Sequence, residues 1–445
     1  MKILKVIHGY PLRYNAGSEV YSQSLCMELV KSHDVQVFCR FDDPFLPDYE
    51  IVHEHDEGEP RLLLNLVNKP LDRDRDRYIY TGVGRKFREV VERFQPDVVH
   101  IGHLNHLSTS IVAEAYNLGL PIVFTLHDYW LMCPRGQFMS FYAESRDDVW
   151  GLCGVQEAEK CAKLCYSRYF SGSEEDYEKD LTFWTDWVVR RMAHVKKVSG
   201  LVDIFIAPSR YLKDRFVRSF GLPEEKVIYL DYGFHRERLT GRNRQFEDAF
   251  TFGYIGTHIP AKGIHILIEA FSSLKGSAKL RIWGRHRSSI TPSLIAKANE
   301  LTKGTLLKVE WRDEYENKNI VRDVFNHCDA VVVPSIWVEN SPLVIHEAQQ
   351  VRLPVITANV GGMAEYVQHG VNGLLFEHRN ADDLCKKMQV FVDDPLRAMT
   401  LGKQGYLYSS DGQVPSIDEH AKRIESIYCS VIEKEYQKCL ILHEG

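Results

Sequence analysis

Long apolar runs are missing from this chain of 445 residues. No stretch approaches the ~18 consecutive apolar residues that a membrane-crossing helix needs, so no transmembrane span is expected. The apolar run near the start is broken by Lys5 and closed by His8, too short for the core of a secretory leader. An excess of positive charge is missing too. Sixty-one acidic residues outnumber 55 basic ones, for a net charge of −6, which sets aside a nucleic acid polymer as the main ligand. Short-period repeats and low-complexity tracts are absent, and 21 Phe, 7 Trp and 22 Tyr exclude disorder for most of the chain. The ten cysteines, in a chain without an expected leader, point to a reducing compartment and free thiols. The expectation is a cytoplasmic α/β protein, with an inner-membrane-face association left open.

What is present is a rhythm of strand, loop and helix. The apolar run at 3–8 enters the Gly/Pro loop GYPLRYNAGSE, a helix-period segment and the alternating strand DVQVFCR. That order is a βαβ unit, the repeat of doubly wound parallel sheets. Strands are expected at 97–101, 121–126, 203–208 and 227–233, with helices at 86–94 and 109–117. A second series begins at FTFGYIG (250–256) and continues with strands at 280–284, 307–311, 330–335 and 354–359. Its helices fall near 264–274, 318–327, 341–351 and 381–392. Between 132 and 197 the rhythm stops, and a mainly helical insertion is expected there. The division that follows is a first domain at 1–205, completed by a C-terminal helix at 416–445, and a second at 206–415. Both are Rossmann-like, with the functional cleft expected between their strand C-termini.

The densest chemistry lies in VVVPSIWVENSPLVIHEAQQVRLPVITANVGG. An apolar strand ends at Pro334–Ser335, a loop carries Glu339, and Asn340, Ser341 and Pro342 open a helix that carries Glu347. Serine before proline suits a helix start, and a helix N-terminus facing strand ends favours phosphate. Two carboxylates beside it suit sugar and ribose hydroxyls. The bare spacing fits equally a solvated loop glutamate and a helix-face glutamate. A second element, YIGTHIPAKGIHILIEAF, runs from a strand through Gly256 and Thr257 to Lys262 and an amphipathic helix, a pattern that suits pyrophosphate. Standing alone, a loop lysine reads as a solvated charge. Arg285, just past the strand LRIWG, is a further candidate cation.

These motifs resemble the signature of the family 4 retaining glycosyltransferases. The resemblance rests on Glu339 and Glu347 with seven residues between them, Pro334–Ser335, Asn340, Pro342, Ala348, Pro354–Val355, Gly361–Gly362, Glu365 and the Gly370–Gly373 turn. It implies the glycosyltransferase-B fold, with a nucleotide-sugar donor on the second domain and a glycan or lipid-linked acceptor on the first. Glu339 would contact the transferred hexose and Glu347 the ribose diol, with the amides of Asn340 and Ser341 on sugar and phosphate. Lys262 would meet the diphosphate, although Thr257 stands where the family usually has arginine. In the first domain the resemblance places Gly17 of AGSE near the donor phosphate, with Ala16 in place of a first glycine. It places His127, at the end of FTLHDYW, against the donor sugar as a catalytic group. Asp128 and His103 are acceptor-side candidates. No Asp-x-Asp follows a strand for a metal–diphosphate complex, so no catalytic cofactor is expected.

Four cysteines, Cys133, Cys153, Cys161 and Cys165, fall within the insertion, where either a structural tetrahedral zinc or buried free thiols would fit. Trp184 and Trp187, with the basic pairs Arg190–Arg191 and Lys196–Lys197, fit packing, an acceptor grip or a peripheral membrane contact. Two other activities share the expected fold: a nucleotide-sugar epimerase and a glycan phosphorylase, the latter lacking a signal for its Schiff-base lysine. A non-catalytic nucleotide-sugar-binding module is the remaining alternative.

Overall fold

The computed structural model describes residues 1–11, 13–69, 78–140, 151–244 and 247–443, with side chains as far as 434. Positions 141–150 of the expected insertion, 245–246 of the polar, Arg-rich link at 235–249 and 444–445 of the last helix lie outside the described residues. The chain divides into two compact units, residues 1–233 with 417–445, and residues 234–416.

The first unit is built on eight strands: β1 (Lys2–Ile7), β2 (Asp34–Phe41), β3 (Ile51–His55), β4 (Leu63–Asn68), β5 (Val98–Ile101), β6 (Ile122–Thr125), β7 (Ile204–Ala207) and β8 (Val227–Tyr229). Their order is β3-β4-β2-β1-β5-β6-β7-β8, with β3 antiparallel to β4 and the other pairs parallel. The central strands read as continuous apolar runs because helices cover both faces of such a sheet. In β1 every residue after Lys2 is buried. The unit extends beyond the expected end at 205 because β8 pairs in register with β7, Phe205 opposite Val227. A connection of strand, helix and parallel strand keeps its second strand in the same sheet. The final helix (Ile417–His443) docks on this unit through two buried polar contacts. Tyr428 Oη meets His100 Nδ1 at 2.6 Å, and His420 Nε2 meets Tyr21 Oη at 2.7 Å.

The second unit is a six-stranded parallel sheet of β9 (Phe250–Ile255), β10 (Ala278–Trp283), β11 (Leu307–Trp311), β12 (Ala330–Val333), β13 (Val355–Ala358) and β14 (Gly373–Phe376). Its order is β11-β10-β9-β12-β13-β14. The order reverses direction at β9 and β12, and the open ends of adjacent strands there form the usual crevice of doubly wound sheets. Two features go beyond the sequence reading: the β3–β4 hairpin and the short strand β14. Among the described residues no helix is long and apolar enough to cross a membrane.

Candidate functional site

In the second unit, the loop between β12 and the helix Leu343–Gln350 gathers the expected residues. Glu339, Asn340, Ser341 and Glu347 are all buried. The loop holds its course because glycines press against it. Gly263 has φ +69°, and a Cβ there would lie 1.8 Å from the Pro334 carbonyl oxygen. A Cβ on Gly362 would lie 1.2 Å from the Asn340 carbonyl oxygen, while the Gly362 N–H donates to Glu339 O at 2.9 Å. Neither position accepts a side chain without moving the backbone that carries Glu339.

Lys262 Nζ donates to Glu339 Oε1 at 2.7 Å, and Ser335 Oγ donates to the same oxygen at 2.5 Å. The lysine stands 5.5 Å from the Trp337 ring centroid. Glu347 Oε1 accepts from Arg238 Nη2 at 2.9 Å. Burial pushes the Glu347 carboxyl up, against the lowering charges of Arg238 and His346. Arg238 escaped the sequence reading. It belongs to the Arg-rich link more than a hundred residues from Glu347, and no local pattern joins them.

One expectation needs correction. Ser341 does not cap its helix: Pro342 stands at the cap without a side-chain hydrogen bond, since an extended proline ends the loop. The Ser341 hydroxyl is instead buried with no hydrogen-bond partner among the described residues. The Gly256 N–H donates to Trp283 O at 3.1 Å. Thr257 contributes its carbonyl to Tyr254 Oη at 3.2 Å. Arg285 is half exposed and pairs with Glu314 at 3.5 Å, as a side chain free to reach the nearest surface carboxylate does.

In the first unit, His103 and Asp128 meet. His103 Nε2 lies 3.2 Å from Asp128 Oδ2, and Asp128 Oδ1 accepts the Trp130 N–H at 2.7 Å. The group extends further than the sequence indicated. The His8 ring lies 4.5 Å from that of His103, and His8 Nε2 lies 3.2 Å from Glu19 Oε1. Glu19 is buried, which would raise its carboxyl, yet bonds from His8 and Ser18 hold it down at about 2. It sits in the first turn of the helix Gly17–Leu29, where the helix dipole favours a carboxylate. Gly17 opens that helix with Ala16 at the cap and lies exposed. Glu19 was readable within AGSE; His8 was hidden because it comes from a different strand end. His127 Nδ1 meets Tyr232 Oη at 2.6 Å. Desolvation first, then Lys5, His103 and His8, push its pKa well below the usual imidazole value, so the ring is neutral at pH 7.

The four insertion cysteines share one neighbourhood without forming a metal-ligand group. Among the described residues no three His, Cys, Asp or Glu side chains are placed to hold an ion. Burial, then the nearby Cys133, Cys165 and Cys153, push the Cys161 thiol up to about 12. Cys153 donates its S–H to Val155 O at 3.1 Å. The tryptophans are packed inward rather than offered to a membrane: Trp184 stacks on Tyr166 with centroids 4.9 Å apart, and Trp187 is buried beside both.

Two doubly wound parallel sheets, with a buried glutamate pair after the fourth strand of the second, define the glycosyltransferase-B class. A solved structure of Anabaena HepE in complex with UDP and glucose superposes with a TM-score of 0.67 at 16% identity, covering 97% of this chain and all of that one. Residues 16–238, half of the chain, match the model of Glycosyltransferase Family 4. Residues 235–408 match that of Glycosyl transferases group 1. The chain belongs to the family 4, group 1 glycosyltransferases. It is 30% identical over 208 residues to an uncharacterized glycosyltransferase of Methanocaldococcus jannaschii, covering 46% of this chain and 54% of the relative. It is 39% identical over 277 residues to a D-inositol 3-phosphate glycosyltransferase of Rhodococcus opacus, covering 58% of each. The chain thus spans about half the length of the curated relatives it matches.

Proposed function

We propose that the protein is a retaining hexosyltransferase, moving a hexose from a nucleoside-diphosphate sugar to a hydroxyl of a glycan or lipid-linked glycan. The observation that carries this reading is the loop at 334–342. It brings Lys262 onto Glu339 and Arg238 onto Glu347, beside the orphaned Ser341 hydroxyl. Each carboxylate is neutralised by one cation. A donor can therefore exchange hydroxyls onto the carboxylates and phosphate oxygens onto Lys262 without leaving either carboxylate short of hydrogen-bond donors.

In the proposed step, the bond from the anomeric carbon to the diphosphate oxygen breaks. The bond to the acceptor oxygen forms on the same face, and the acceptor proton passes to the departing diphosphate. Lys262 takes up the negative charge that develops, the kind of fixed electrostatic contribution that dominates such barriers. Glu347 holds the ribose diol. In the first unit, neutral His127 suits a hydrogen bond to a sugar hydroxyl. HepE, a structural neighbour, was solved with UDP and glucose, which makes UDP-glucose the first donor to test.

The test is a panel of nucleotide sugars, scored by thermal shift and then by acceptor-dependent release of nucleoside diphosphate. The expected result is binding of one donor, lost about tenfold or more in Glu347→Ala, with product retaining the donor's anomeric configuration. Epimerised donor without transfer would establish the epimerase instead. Binding with no turnover on any acceptor would leave the binding module.

A further inference from the structure

His127, just past β6, and Tyr232, just past β8, meet within the first unit. Tyr232 Oη lies 2.6 Å from His127 Nδ1, and the two rings stand within 19° of parallel with centroids 5.7 Å apart. Tyr21, from the helix Gly17–Leu29, packs on both, its centroid 4.5 Å from that of Tyr232 and 5.5 Å from that of His127. Tyr232 is 5% exposed, so its hydroxyl must find a partner inside the protein.

The position of the proton between these two side chains decides what His127 can do. A neutral imidazole has one N–H, which donates, and one bare nitrogen, which accepts. Burial first, then Tyr21, Asp231 and Asp128, push the Tyr232 phenol well above its ordinary value, so it keeps its O–H. Among the described residues His127 Nδ1 is the one partner that this hydroxyl reaches. The neighbouring Tyr21 Oη meets His420 Nε2 at 2.7 Å, and Asp231 Oδ1 accepts the Tyr232 backbone N–H at 2.8 Å. Were Nδ1 to carry the hydrogen and donate to the phenol oxygen, the phenol's own O–H would be buried without an acceptor, at the full cost of its desolvation. The hydroxyl therefore donates and Nδ1 accepts. The imidazole, which burial keeps uncharged, then has its one hydrogen on Nε2.

We propose that Tyr232 is a positioning residue for the transfer: its hydroxyl fixes His127 in the form with Nε2–H, which donates to an oxygen of the bound sugar and cannot take the acceptor's proton. That His127 meets a sugar rests on the transferase reading; its tautomer rests on the Tyr232 contact alone. The assignment makes His127 a source of one directed hydrogen bond rather than a general base. The acceptor's proton is then left to the departing diphosphate.

The test starts from the full chain with nitrogen-labelled histidine, observed in imidazole correlation spectra at neutral pH. The His127 signals are those lost in His127→Gln. A protonated Nε2 beside a bare Nδ1 is expected in the wild type, and a protonated Nδ1 overturns the proposal; this reading needs no variant of Tyr232. Tyr232→Phe removes only the hydroxyl and keeps the ring against Tyr21, so Tm should move by a few degrees at most. Its His127 signals should shift toward exchange between the two tautomers. For the nucleotide sugar that turns over, kcat/KM should fall about tenfold in Tyr232→Phe. In a His127→Gln background the same change should cost less than about twofold, because a residue that acts through His127 has nothing left to act on. An unchanged tautomer in Tyr232→Phe, or the full loss in both backgrounds, overturns the proposal. The transferase reading fails separately. The expected tautomer with no turnover of any nucleotide sugar removes the transferase and leaves the hold of Tyr232 on His127. Turnover by a chain with His127 protonated on Nδ1 removes that hold and leaves the transferase.

Discussion

In the second unit each of the two signature carboxylates sits against a cation, Glu339 on Lys262 and Glu347 on Arg238. In the first unit the imidazoles meet one another and aromatic rings, His8 with His103, His127 with Tyr232 and His420 with Tyr21, with carboxylates only at His8 against Glu19 and His103 against Asp128 among these. The two arrangements answer different demands. Paired opposite charges can be re-partnered by a charged, hydroxyl-rich ligand with little net desolvation, which suits a site that binds and releases a diphosphate. Neutral imidazoles hydrogen-bond without carrying charge into the core, which suits a sheet whose strand ends must stay packed while they present polar atoms. The charged pairs thus belong to ligand exchange, and the neutral rings to holding a surface in place.

That contrast breaks most visibly at Lys262. If its charge serves the departing diphosphate rather than merely balancing Glu339, Lys262→Met should lower kcat by about 10²–10³-fold, the usual cost of one transition-state donor. The methionine keeps an apolar stem beside Trp337, and the lysine is already about a third exposed (32%), so Tm should move little. A large Tm loss with unchanged kcat would make the pair a structural ion bridge.

Arg238→Ala tests the second pair at a smaller scale. Donor affinity should fall by about tenfold to thirtyfold, because the carboxylate that meets the ribose loses its orienting partner. Burial already raises the Glu347 carboxyl and Arg238 opposes that rise. Without the guanidinium, the pH at which donor affinity is half lost should therefore move upward. Calorimetric titration of the donor across pH reads both effects, and an unshifted profile would separate Arg238 from the site.

Arg238 also marks where the sequence stopped being legible. The Glu339–Glu347 pair, Lys262 and the glycines of the 361–362 step lie in short stretches whose spacing reflects one loop and one helix, so a linear reading recovers them. The parallel sheets were legible for the same reason, since apolar runs separated by helix-period segments repeat locally. The β3–β4 hairpin carries polar residues, IVHEH and LLNLVN, and its edge strand lacks the apolar run that betrays a central one. Arg238 with Glu347 and His127 with Tyr232 join elements distant in the chain. Only the folded sheet order brings such pairs together. The cysteines mark the converse limit: closeness in sequence left zinc and free thiols both open, and among the described residues no three His, Cys, Asp or Glu side chains are placed to hold an ion.

The smallest expected effect separates the two units by their response to acid. Desolvation lowers the pKa of His8, His100, His106, His127 and His420 in the first unit, against His258, His327 and His378 in the second. A lowered imidazole means that the unfolded chain binds the proton more readily, so stability is lost as pH falls below the unfolded value near 6.5. Glu19, held at about 2, works in the same direction but later, losing its contribution between pH ~4.5 and ~2. The first unit should accordingly soften first between pH 7 and pH 5. His420 isolates the effect, since its pKa falls to about 4, chiefly through burial, while its Nε2 meets Tyr21 Oη. Gln at this position can keep the bond to Tyr21 without titrating. His420→Gln should then recover ~1–2 kcal/mol of the stability lost at pH 5, a few degrees in Tm, and little at pH 7.5. An acid limb identical to wild type would mean that His420 takes up its proton without leaving the core, and that the neutral-ring account of the first unit fails at one of its buried members.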